Sequence, residues 1–215
     1  QMFSDDVDLE VDHITSSWAH VYASQDVMVL AEPANDWWWF WRNSGWDDAT
    51  NIHIFDISDP SETTYVASGR VDGTVQDQFS LSELNGIIRV ATTEDAWGRW
   101  WLETEEWTGP TNNVFTLAAT ECMIPEGCED ETSELVEIGH VGDIAAGERI
   151  WSARFVGDRA YLVTFRNMDP LWVIDLSDPT DPAILGELEI PGVSTYIHPI
   201  DADTLLTIGI GPGPD

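Results

Sequence analysis

Lysine is absent from all 215 residues, and the only fixed cations are eight arginines. Against 40 Asp and Glu they leave a formal net charge of −32. A field of that sign repels phosphate backbones and anionic lipid headgroups, so nucleic acid is excluded as a partner class. Long apolar runs are missing too. No stretch approaches the roughly 20 residues that cross a bilayer as a helix, and no membrane insertion is expected. No window of a dozen or so residues repeats apolar side chains at helical spacing. Gly-x-Ser-x-Gly, P-loop and zincin motifs do not occur. The start, Gln1-Met2-Phe3, runs into the acidic stretch Ser4–Asp12 without the basic and apolar regions of a signal peptide. Both ends read as cuts through a longer chain, so they carry little information on location.

What is present is β signal. The chain is 43% hydrophobic, enough for a core. Short segments rich in β-branched and aromatic residues recur between Gly, Pro, Asp and Asn, as in Val27–Leu30, Ile52–Ile57, Ile87–Ala91, Val114–Leu117, Ala160–Phe165 and Ile184–Ile190. One unit repeats: His53-Ile54-Phe55-Asp56-Ile57-Ser58-Asp59-Pro60 returns as Trp172-Val173-Ile174-Asp175-Leu176-Ser177-Asp178-Pro179. In each, a strand ends at Asp and a Ser-Asp-Pro turn leads into another strand. Self-similar sheets of this kind predict an all-β β-propeller, with strands a to d in each four-stranded antiparallel blade. The parse gives about three and a half blades in one partial domain, residues 1–215: blades near 15–75, 76–143 and 147–193, and a half blade over 194–215. Residues 1–14 would supply an outer strand of a preceding blade. A fragment of a larger propeller is expected.

Several runs resemble the secreted bacterial and archaeal beta-propeller domain family. They include Gln78-Phe79-Ser80-Leu81-Ser82-Glu83, Arg89-Val90-Ala91-Thr92-Thr93, Gly147-Glu148-Arg149-Ile150-Trp151-Ser152-Ala153-Arg154-Phe155 and Gly157-Asp158-Arg159-Ala160-Tyr161-Leu162. Ile174-Asp175-Leu176-Ser177-Asp178-Pro179 is similar to the LVIVD-like repeats of extracellular propellers. The resemblance covers most of the chain from about Tyr22 onward. It implies a secreted or envelope-attached protein and supplies no catalytic residues. The chain departs from the pattern in two Trp-rich insertions and a Cys-containing loop, and it lacks blades at both ends.

Those departures hold the candidate site. Of 12 Trp, Trp37, Trp38, Trp39, Trp41 and Trp46 lie in one insertion, and Trp97, Trp100, Trp101 and Trp107 in another. Both insertions join strand b to strand c, so both are expected on one rim beside Arg42 and Arg99. Two readings stand. Tryptophan offers a large contact area at low entropic cost, which suits a protein or glycan partner. Long loops also pack their own aromatics into satellite cores, with arginine stacked on indole. Cys122 and Cys128 flank a segment bent by Pro125 and Gly127, which predicts a disulfide and an oxidising compartment; a pair of free thiols is the alternative. No second Cys pair exists, so a zinc site is not expected. His13, His20, His53, His140 and His198 form no ligand pair and read as ordinary strand or turn residues. Asp6-x-Asp8 and Asp201-x-Asp203 offer two carboxylates each, short of the ligand spacing of a calcium loop, and no cofactor is expected.

The function expected is a non-enzymatic extracellular binding or scaffold module. Its partners would be a protein or carbohydrate, with remaining blades or another copy on its open edges. A hydrolase on a propeller scaffold and a purely structural segment are the alternatives. The lysine-free acidic surface fits a high-salt or marine setting, where screening removes carboxylate repulsion. Lowering ionic strength from molar to dilute salt should therefore lower the melting temperature. A melting temperature flat across that range excludes the salt reading.

Overall fold

The period-two alternation of Ile52 and Ile54 with Asn51 and His53 buries the isoleucines and leaves their neighbours half-buried. The computed structural model, which describes residues 14, 18–34, 48–94, 109–120, 133–165, 169–190, 192–201 and 204–211, holds fifteen strands, some alternating in this way and others buried on both faces. The first group is β1 (His20–Ala23), β2 (Val27–Pro33), β3 (Ala49–Asp56) and β4 (Thr64–Asp72). The second is β5 (Thr74–Val75), β6 (Leu81–Leu84), β7 (Ile87–Glu94), β8 (Thr111–Ala119) and β9 (Ser133–Ile144). The third is β10 (Arg149–Val156), β11 (Arg159–Phe165), β12 (Asp169–Asp175) and β13 (Ala183–Ile190), and β14 (Val193–Pro199) with β15 (Leu205–Ile210) forms a two-stranded sheet.

Within each group consecutive strands pair antiparallel, as a propeller blade requires, except that β5 and β6 both pair with β7. The first two blades are joined edge to edge, because β4 and β9 pair parallel at Ala67–Ser133 and Ser68–Glu134. Strand positions follow the sequence reading to within a few residues, with one difference in kind. Gln78–Ser80, read as the start of a strand, is a single 3-10 turn. Asp77 causes it: its Oδ1 accepts from the amides of Phe79 at 2.8 Å and Ser80 at 3.2 Å, which offers this backbone an alternative to the ladder. The inner strand of the second blade is thereby split into β5 and β6, both paired with β7.

Three apolar cores lie between successive sheets. Val29, Ile52, Ile54, Leu81, Ile88, Phe115 and Leu117 fill the first, between blades one and two. Val114, Ile144, Ile150, Leu162 and Ile174 fill the second, and Tyr161, Val163, Leu171 and Ile197 the third. Each fully buried Ile or Leu contributes on the order of 1.5–3 kcal/mol. The last face in the series has no such cover among the described residues: Leu188, Leu206, Ile208 and Ile210 are exposed, the last at 71%.

Both copies of the repeat adopt one turn. The Asp56 carboxylate accepts from the Ser58 amide and hydroxyl at 2.8 and 2.6 Å, and Asp59 does the same with Ser61. Asp175 accepts from the Ser177 amide at 2.9 Å, and Asp178 from the Thr180 amide and hydroxyl at 2.9 and 2.6 Å. Each c-to-d turn is tied to the a-to-b turn of its blade, by the Ile57 amide on the Asp26 carbonyl and the Leu176 amide on the Asp158 carbonyl.

Close blade contact depends on glycine. A Cβ on Gly69 would overlap the Leu135 carbonyl of β9. Gly69→Ala should cost about 1–3 kcal/mol in urea unfolding, whereas Gly186→Ala, in open space on β13, should stay within about 0.5 kcal/mol. Equal effects would remove the steric account. The four turn carboxyls are held below the usual carboxylate range, for Asp56, Asp59 and Asp178 chiefly by the neighbouring hydroxyl and for Asp175 chiefly by the Ser177 amide. A depressed folded value stabilises above the unfolded value and is lost as pH falls through the folded one. Asp56→Ala combined with Asp175→Ala should therefore lower the melting temperature at neutral pH. The gap from the parent should shrink below about pH 4, and a gap independent of pH rejects this linkage.

Candidate functional site

The tryptophan insertions are rooted on one rim. The first leaves β2 at Pro33 and rejoins at Ala49, with the Ala34 amide on the Ala49 carbonyl at 2.8 Å. Its last described residue, Asp48, accepts from the Gly73 amide, and Thr50 Oγ1 donates to the Gly73 carbonyl at 2.8 Å. One residue on, Thr74 pairs with Thr93, the penultimate residue of β7, from which the second insertion departs. That insertion returns through Pro110, whose carbonyl accepts from the Gly147 amide at the entry to blade three. The side chains named from sequence, Trp37, Trp38, Trp39, Trp41, Trp46, Arg42, Trp97, Arg99, Trp100, Trp101 and Trp107, lie outside the described residues. So do Cys122 and Cys128. Their loop is rooted at the other end of the sheets, where Ala119 and Leu135 pair and the Thr120 amide meets the Glu134 carbonyl at 2.8 Å.

Blade three shows how aromatics pack along that rim. Arg149 lies over the Trp151 ring, 4.8 Å from its centroid, and Trp151 meets Phe165 edge to face at 6.1 Å. Trp172 Nε1 donates to Thr164 Oγ1 at 3.2 Å, and that hydroxyl donates to Glu148 at 2.6 Å.

A second feature comes from the inner strands, which gather near the common axis. The ends of β1 and β10, the 3-10 turn and the start of β6 enclose a cavity of about 330 Å³. Tyr22, Gln78, Phe79, Ser82, Arg154 and Phe155 line it. Arg154 donates from Nε to the Ile197 carbonyl at 3.1 Å and from Nη2 to the Tyr196 hydroxyl at 3.2 Å. Its guanidinium carbon stands 4.4 Å from the Phe79 centroid and 5.5 Å from that of Tyr196, so the cation packs against both rings. Behind the wall, Arg89 is only 5% exposed. It donates from Nη2 to Ser82 Oγ at 2.6 Å and from Nη1 to the Gly157 carbonyl, and its Nε has no partner among the described residues. Desolvation lowers its pKa, opposed by the charges of Tyr22, Glu83 and Asp158, and as a guanidinium it keeps its proton.

The arrangement offers cationic donors, a hydroxyl and aromatic faces. Among the described residues no His or carboxylate hydrogen-bonds Ser82, so a serine–base pair is not formed there. No three His, Cys, Asp or Glu side chains among the described residues gather as metal ligands. Asp6, Asp8, Asp203 and His13 lie outside them. His53 is held by Tyr65 at 2.9 Å and Glu32 at 3.5 Å; His140 bonds Asn113 at 2.9 Å and stacks on Phe115. His198 stacks on Tyr196, and burial lowers the pKa of His20, partly offset by Asp77. Sequence reasoning missed Arg89 and Arg154. Their signal was an arginine inside an otherwise apolar or small-residue strand, in Ile88-Arg89-Val90 and Ala153-Arg154-Phe155.

Two relatives show how far similarity extends. A protein of Methanocaldococcus jannaschii, described as uncharacterized, is 42% identical over 150 residues, covering 70% of this chain and 20% of its own length. One from Archaeoglobus fulgidus, with the same description, is 37% identical over 174 residues, covering 76% of this chain and 23% of its own. This chain thus spans about a fifth of the curated relatives it matches. With its blades in place and the beta propeller domain matched across residues 2–213, the chain belongs to the beta propeller domain family.

Proposed function

We propose that the chain is a non-enzymatic extracellular binding or scaffold module that meets a protein or glycan partner through its tryptophan-rich insertions. The observation that supports this reading is the common root of the two insertions, linked through Asp48, Gly73 and the Thr74–Thr93 pair. Loops anchored on neighbouring blades of a rigid scaffold present one composite face, and indoles carry most of the energy of such contacts. Secretion is inferred from the two cysteines and the acidic, lysine-free composition. A hydrolase that used Ser82 as its nucleophile would need a base beside it, where Arg89 stands instead.

The exposed apolar residues of β13 and β15 call for a second kind of contact, with further blades or another copy of the chain. Light scattering assigns the second case: a monomer at every concentration rules out another copy.

Replacing Trp38, Trp39, Trp100 and Trp101 together by Ala should abolish capture on an immobilised glycan and protein panel while circular dichroism and melting stay unchanged. Each buried aromatic anchor is worth on the order of 2 kcal/mol or more in such interfaces. Undiminished capture by the folded variant rejects the contact face. A collapse in stability instead assigns the indoles to a self-packed satellite core.

A further inference from the structure

We propose that the axial cavity is a binding site for a small polyhydroxy carboxylate of the uronic-acid class, with Arg154 as its carboxylate anchor. The argument begins with the donor inventory. A guanidinium carries five N–H groups. Arg154 uses one on the Ile197 carbonyl and one on the Tyr196 hydroxyl, and the others meet no hydrogen-bond acceptor among the described residues. Nor does any described carboxylate form an ion pair with it, although the chain holds 40 Asp and Glu. Chance encounter with a carboxylate is frequent on such a surface, so an arginine kept clear of them is set apart for an anion from outside. Phe79 and Tyr196 pack against the guanidinium, whose planar fork of donors suits a planar, two-oxygen ligand group better than a point charge.

The rest of the wall selects for hydroxyls. Ser82 Oγ accepts from Arg89, which leaves its own proton to donate inward. Gln78 and Tyr22 add an amide and a phenol, and Phe79 and Phe155 offer rings on which a sugar face stacks. Arg89, buried behind Ser82 and outside the lining, adds a second positive charge near the same space. The volume of about 330 Å³ stands at the small end of ligand pockets and admits a monosaccharide. This site is separate from the tryptophan rim, so either can fail without the other.

Calorimetric and NMR titration of the whole chain with glucuronate, glucose and sulfate tests it. Glucuronate should bind saturably and shift the Arg154 Nε–H and Tyr196 signals, while glucose and sulfate bind at least tenfold more weakly, roughly the worth of a charge-assisted pair. Arg154→Gln should weaken glucuronate by roughly tenfold or more, and Arg154→Lys by an intermediate factor because the charge stays and the fork is lost. Arg70→Gln, at an exposed position of β4, should leave binding unchanged and controls for net charge. If Arg154→Gln does not fold, Arg154→Lys and Phe79→Leu carry the comparison. Glucose binding as tightly as glucuronate, sulfate competing at equal strength, or Arg70→Gln costing as much as Arg154→Gln each overturns the proposal, as does the absence of saturable glucuronate binding.

Discussion

Face-to-face burial between successive sheets is the constraint on which the rest depends. A four-stranded sheet with apolar side chains on both faces has no stable exposed form, and here three apolar cores between successive sheets cover such faces, the last face excepted. β7 and β8 show the consequence, since Val90 and Ala91, or Phe115 and Thr116, are buried although they point to opposite sides. Glycine sets how close the sheets approach, at Gly69 against Leu135 and at Gly139 against Pro179. Repeating that contact fans the sheets about one axis, and the fan places everything else. Inner strands converge to form the cavity, b-to-c connections share one rim, and c-to-d turns share the other.

Electrostatics and packing pull in different directions in this chain. Asp56, Asp59, Asp175 and Asp178 sit at turns, where hydrogen bonds from serine and threonine favour their ionised form. One of the scarce cations, Arg89, is used inside, and Arg154 is half-buried. Arg89 loses solvation and regains it in part from Ser82, the Gly157 carbonyl and the Phe155 ring, 5.2 Å away. Arg154 sits between two aromatic rings at the meeting of β10, β14 and the 3-10 turn. Positive charge at the axis of a strongly negative molecule is an uneven distribution, and it gives an anionic ligand a local reason to enter against the overall field.

The tie between the turns of each blade bears on rigidity. Asp26 and Asp158, in a-to-b turns, receive amides from the residues just after β3 and β12. The loops at that end are thus braced by their own backbone. At the opposite rim the brace runs between blades, through Gly73 and Gly147. Any partner gripping the insertions there would pull on contacts that hold neighbouring blades together.

Residues 53–60 and 172–179 were legible as one unit because its bonds are local: carboxylate, hydroxyl and amide lie within three residues of each other. Strand positions were legible because burial follows a period of two. The sequence by itself therefore determined the strands, the repeated turn, the radial class of fold and the segments that depart from it. The 3-10 turn at Gln78–Ser80 was also a local effect, but Asp77 competes there with a ladder whose strength depends on β7. Tertiary structure alone decided that Phe79, Arg154 and Tyr196 meet, since they stand on the 3-10 turn, β10 and β14 and share no spacing. It likewise decided which arginines are buried, because that depends on the angle at which one blade packs on the next, a property of summed contacts between distant residues that no local pattern encodes.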